Sequence, residues 1–136
     1  MSHKIIRSIF EQRLAAWAAD RKLRIAYQGY AFDQQPGETY LAAFTLPTAT
    51  STNTLSGDQR LYTGVFQINV VTPFGTGTAN AEALVDELDT LFPAFLRLKE
   101  SDFEVMVFTP VQPGPFVQAD NTLTVSASFQ YRADIH

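Results

Sequence analysis

With 136 residues, 46% apolar and 18% charged, the chain is long enough for one well-filled core and too hydrophobic to be disordered. A net charge of −4, a pI near 5.0 and only 10 Lys plus Arg exclude a general nucleic-acid binder, which needs a basic patch. The lack of cysteine excludes disulfides and thiolate chemistry, and no apolar run reaches signal-peptide or membrane-span length, so a soluble cytoplasmic product is expected.

In chain order, the first predicted element is a helix from Ser2 to Asp20. Ile6, Phe10, Leu14 and Trp17 form one apolar stripe with Ile9 and Ala16 beside them, and Ser2 is placed to cap the start. Lys4, Arg7, Arg13, Arg21, Lys22 and Arg24 are spaced along the first 24 residues, as a solvated face or an anion-binding surface. Residues 23–27 read as a short strand, and 28–38 as a loop around Pro36-Gly37. Residues 39–46 read as a second strand closed by Pro47.

Residues 47–58, rich in Thr and Ser, have little to bury and read as a flexible polar loop that projects to bind something. Its candidate contact residues are Thr48, Thr50, Thr52, Asn53, Leu55, Asp58 and the following Arg60. Residues 59–72 carry the longest strand signal. Tyr62, Phe66, Ile68 and Val70 alternate with Thr63, Val65, Gln67 and Asn69, and Gly64 marks a bulge or a close backbone approach.

Residues 73–77, Pro-Phe-Gly-Thr-Gly, suggest at first a phosphate loop. The lysine of a Walker motif is missing, and Asn80 stands where a dinucleotide fingerprint needs its third glycine. Pro73, Gly75 and Gly77 therefore read as a structural turn leading into a helix from Ala79 to Phe92, with Thr78 or Asn80 as its cap. Leu84, Leu88, Leu91 and Phe92 should face the core, with Glu82, Asp86, Glu87 and Asp89 in solvent.

The last third returns to strands: 103–110, then a Pro-Gly-Pro stretch that favours a turn or an edge, then 121–132 with clear alternation of Leu123, Val125, Ala127, Phe129 and Tyr131. The order predicts a single α+β domain of two layers, a mostly antiparallel sheet with both helices packed on one face. His3 and His136 sit at the chain ends, where a preorganised site is not expected. Asp33, Glu38 and Asp58 lack a calcium-loop spacing. No catalytic residue, metal site or cofactor is expected, and the protein reads as a non-enzyme. The contact chemistry falls instead on uncharged polar strand faces and on a strand edge at Val111, Gln112, Phe116 and Gln118.

Residues 28–92 resemble the phage tail terminator family of siphophages and prophages. The likeness lies in the order of "YAFDQQPGETYLAAFTLP", a polar loop, "GDQRLYTGVFQINVVTPFGTG" and the amphipathic "ANAEALVDELDTLF". The resemblance implies a minor tail protein that assembles as a homo-hexameric ring on the finished tube and stops tube polymerisation. It further implies a head-joining surface, with tail tube protein and a head-completion or connector protein as partners. DNA would pass through without specific binding, no membrane would be involved, and the product would reside in the virion tail after assembly in the host bacterial cytoplasm. The alternatives are another neck, head-completion or minor tail component, and a small-ligand domain using residues 73–82.

Overall fold

The computed structural model describes residues 3–33, 35, 37–52, 60–75, 78–100, 103–119 and 121–135. Ser2, Pro36, Asn53, Leu55, Asp58, Gly77 and His136, on which expectations fall, lie outside that set.

Helix α1 (His3–Asp20) buries Ile6, Ile9, Phe10, Leu14 and Trp17 as their spacing predicts. Ala16 is exposed, and Ala18 is buried in its place. The reason is helical geometry: residue 18 stands one turn above Leu14, whereas residue 16 falls on the flank. The chain leaves α1 through Lys22 at φ 57, with the Leu23 N–H donating to the Ala18 carbonyl at 3.0 Å.

Strands β1 (Arg24–Tyr27), β2 (Tyr40–Thr52) and β3 (Arg60–Pro73) come next. β1 pairs parallel to β2, so residues 28–39 must carry the chain back along its length. Arg24 anchors that connection. Its guanidinium donates to both Glu38 carboxylate oxygens at 2.6 Å and to the Asp33 carbonyl at 2.7 Å, and it lies 4.5 Å from the Phe32 ring centroid.

The Arg24 hydrogen bonds, followed by one from the Gln35 N–H, hold the Glu38 carboxyl at a pKa of about 2, below the usual 4.5. Because the folded value is depressed, this tie supports the loop above the unfolded value and is lost as pH falls through about 2. A carboxyl-detected NMR titration should therefore place the Glu38 midpoint near 2, and Arg24→Gln should return it toward 4.5. A wild-type midpoint at the unperturbed value would show that the tie does not hold in solution.

β2 and β3 form a long antiparallel hairpin. The expectation that Pro47 closes β2 and opens a loop is corrected. The strand absorbs the proline at a bulge between Pro47 and Ala49 and pairs on to Thr52↔Arg60. A proline has no N–H to give a ladder, but a bulge leaves one residue unpaired anyway. The β-branched threonines beyond it suit a strand.

β3 buries Tyr62, Phe66, Ile68 and Val70 as its alternation predicts. Gly64 is a close approach: a Cβ there would lie 2.7 Å from the Leu46 carbonyl oxygen and 2.5 Å from Cζ of Tyr131.

Phe74 donates its N–H to the Asn121 carbonyl at 2.9 Å, and Gly75 takes φ 99, so this turn needs a glycine. Helix α2 (Ala79–Leu91) starts at Thr78, whose carbonyl accepts from the Glu82 N–H at 2.9 Å. Of the two expected caps, Thr78 holds the N-cap position, although its side chain makes no capping bond, and Asn80 lies inside the helix. α2 buries Ala81, Val85 and Leu88 fully, with Leu84 and Leu91 half-buried and Phe92 buried just past its end.

Strand β4 (Arg97–Glu100) is an element the sequence does not announce, since Leu98 is its one half-buried residue among charged neighbours. β5 (Phe103–Val107) stops earlier than predicted, β6 (Gln112–Gln118) is an edge strand, and β7 (Thr122–Ile135) runs three residues beyond the predicted end.

The sheet order is β1-β2-β3-β7-β5-β4, and β6 pairs with the other end of β7. Along its length β7 pairs with β3; its opposite edge is shared by β6 and β5. Both helices pack on the same face of this curled sheet.

Phe10 sits at the centre of the core, with ring centroids of Phe66, Phe92, Phe129 and Tyr131 at 5.1, 6.0, 5.2 and 5.7 Å. His3, expected at a loose chain end, is instead fixed in α1. Its Nδ1 hydrogen-bonds Tyr131 Oη at 2.8 Å, and its ring stands edge-on to Tyr62. Burial lowers the His3 pKa and pushes Tyr131 up to about 12.

Candidate functional site: an uncharged sheet face

Alternation along the strands sends every second side chain away from the helices. The ladder register then lines these side chains up in rungs across the outer face: Leu46–Val65–Gln130, Phe44–Gln67–Ser128, Ala42–Asn69–Ser126 and Tyr40–Val71–Thr124. β6 extends the last rung with Val117, which stands opposite Thr124. None of these side chains is charged. Charge borders this region at two places: Arg24 of β1, paired with Glu38, stands opposite Tyr40 at the end of the last rung, and Arg132 lies opposite Thr63 and Met106.

The polar groups on this face largely satisfy one another. Asn69 Oδ1 accepts from Gln67 Nε2 at 2.9 Å and from Ser126 Oγ at 2.8 Å, and the Thr48 and Thr63 hydroxyls are 3.0 Å apart. Groups already paired lose less when water is removed, so covering this face costs less than covering a lysine- or glutamate-rich one. Exposed apolar side chains lie along it, with Leu46 41% and Val117 59% exposed.

Of the residues expected at a subunit contact, Gln112, Phe116 and Gln118 are exposed on β6. Val111 is buried in the core and is corrected: it offers no contact surface. Phe116 stands opposite Val125 and so lies on the helix side of the edge, whereas Val117, which the sequence reading did not single out, lies on the uncharged side. The signal for Val117 was the strand register, visible only once β6 is paired with β7.

Pro113 and Pro115 remove backbone donors from β6, and β4 ends the sheet with Arg97 and Lys99, both ion-paired to Glu104. Such edges resist strand addition.

The polar segment expected to bind is divided by the hairpin. Thr48 lies exposed on β2, while the backbones of Thr50, Thr52 and Arg60 belong to the paired strands and their side chains lie outside the described set. The turn residue Pro73 ends β3 opposite Thr122, and Gly75 is exposed. Glu82, Asp86 and Asp89 are exposed on α2, but Glu87 is ion-paired with Arg21, just past the end of α1. Among the described residues no group of three or more His, Cys, Asp or Glu is placed to hold a metal ion. No described helix is long and apolar enough to cross a membrane.

This extended, uncharged and internally bonded sheet face is the candidate contact surface. A family profile described as "Phage tail terminator protein" matches residues 5–131. The chain belongs to the phage tail terminator family, a family of structural proteins, and is a component of the virion tail. It is similar over its whole length to a solved structure with 39% identity and a TM-score of 0.84, covering 100% of this chain and 98% of that one. No curated protein matches it.

Proposed function

We propose that copies of this protein close into a ring, six as the family resemblance implies, on the end of the finished tail tube. The ring blocks further addition of tube protein and presents the surface that the head-completion protein joins. The observation that carries this reading is the family match across residues 5–131. The uncharged sheet face supports it as a surface for a neighbouring copy or for the tube. The β2–β3 hairpin, through Thr48, Thr50, Thr52 and Arg60, reaches toward the neighbour or the tube, and β6 contributes Gln112, Phe116 and Gln118.

DNA passes through such a ring without being gripped, which suits a chain of net charge −4 with few basic residues. The deciding experiment is electron microscopy of tails assembled with and without the protein. Tails should end at a uniform length with a ring at the head-proximal end, and removal should give tubes of scattered, greater length. Uniform tails of normal length in its absence would end the terminator reading.

A further inference from the structure

Between the first half of α1 and the end of β1 lies a groove of about 440 Å³, lined by Lys4, Arg7, Glu11, Ala15, Tyr27 and Tyr30. Tyr30 forms its outer lip and is 79% exposed, held by a turn in which its N–H donates to the Tyr27 carbonyl at 3.1 Å. Glu11 is raised by burial and lowered by the adjacent Arg7, so its charge is partly answered within the groove itself.

A second surface lies on α2. Glu87 and Leu91 turn toward α1, through the Arg21 ion pair and the Arg13 guanidinium bonded to the Leu91 carbonyl at 2.9 Å. The helical repeat then places Glu82, Asp86 and Asp89 along the flank turned away from α1, beside a crest of the exposed small residues Ala79, Ala83 and Thr90. A crest of small side chains lets a helix sink into a groove.

Each helix carries part of this charge against its own dipole, although Glu82, in the first turn of α2, lies with it. α1 has no acid in its first turn and places Lys4 and Arg7 near its positive end. α2 has no basic residue in its last turn and places Asp89 near its negative end. Each such placement is unfavourable within its own helix. It turns favourable if the positive end of α1 meets the negative end of α2.

We propose that the Lys4–Arg7–Tyr30 groove receives the Glu82–Asp86–Asp89 flank of α2 from a second copy of this chain. The inference rests on the ring reading above and specifies its subunit contact. The two surfaces share no residue, so the contact is heterologous: each copy offers its groove to one neighbour and its acidic flank to the other. That is the arrangement a rotation can close into a ring. Because it is ionic, the contact weakens as salt rises.

The test uses the full chain in two charge-reversed forms, Lys4→Glu/Arg7→Glu and Asp86→Lys/Asp89→Lys, followed by native mass spectrometry and sedimentation. Both forms put charges where their own helix dipoles favour them, and circular dichroism checks that they fold. Each alone should self-associate at least about tenfold more weakly than wild type, because like charges then face each other. An equimolar mixture should recover assemblies that contain both forms.

Wild-type assembly matched by either variant alone overturns this contact and leaves the ring reading standing. A mixture that stays dissociated likewise overturns it. Variants that still form rings but fail to cap tubes would assign the acidic flank to the tube instead, and that too overturns it. A wild-type chain that stays monomeric even on added tail tubes overturns the ring reading itself.

Discussion

Phe10→Ala should cost about 4 kcal/mol of stability, the range for removing a buried phenylalanine ring. The effect is large because Phe10 is fully buried and touches every layer: Phe66 of β3, Phe129 and Tyr131 of β7, and Phe92 at the end of α2. The surrounding rings are themselves interlocked, with Phe92 and Phe129 centroids 5.0 Å apart, so they cannot easily collapse into the space left behind. Urea unfolding followed by tyrosine and tryptophan fluorescence measures the loss as a lowered midpoint at constant slope. Phe10→Leu, which keeps most of the volume, should cost no more than about 1.5 kcal/mol. Equal costs for the two substitutions would show that the ring cluster contributes no more than bulk apolar packing.

Gly64→Ala should cost at least about 2 kcal/mol although it adds one methyl group, because overpacking forces its neighbours apart. Neither neighbour of Gly64 is free to yield. The Leu46 carbonyl belongs to the β2 backbone beside the Pro47↔Gly64 pair, and the Tyr131 ring is tied to His3 at 2.8 Å. Tyr131→Phe in the same chain should recover only part of the loss, since the ring carbon and the Leu46 oxygen remain in the way. A Gly64→Ala protein as stable as wild type in the same urea titration would show that β2 and β3 separate more readily than their register suggests.

The parts of the fold that could be read in the sequence are those where period and burial coincide. Tyr62, Phe66, Ile68 and Val70 on β3, and Val125, Ala127, Phe129 and Tyr131 on β7, alternate without interruption, and both strands lie where predicted. β4 was not legible, because four residues with a single half-buried leucine carry no period; what places them is pairing with β5. The outer half of the hairpin was misread because Pro47 is a stop signal in most strands, and only the bulge makes it tolerable.

The contact surface was half legible. Its uncharged side chains stand in the sequence, but their alignment into rungs depends on register. The placement of Val111 inside and Val117 outside reverses what their neighbourhood alone suggested. The His3–Tyr131 bond joins residues 128 positions apart, and no local pattern encodes it.

The position of β7 in the sheet sets the order in which the chain can fold. β3 reaches its full ladder only when residues 122–135 arrive, and β5 and β6 hang on the opposite edge of that same last strand. Before residues 122–135 are in place, one long edge of β3 is open and Phe10 lacks Phe129 and Tyr131 as neighbours. Completing the sheet thus depends on β3–β7 contacts between residues distant in sequence, and such contacts slow folding. Until those contacts form, no copy presents the continuous outer face, because its Ser126, Ser128 and Gln130 positions are supplied by β7. A surface made of all four rungs therefore exists only once residues 122–135 have joined the sheet.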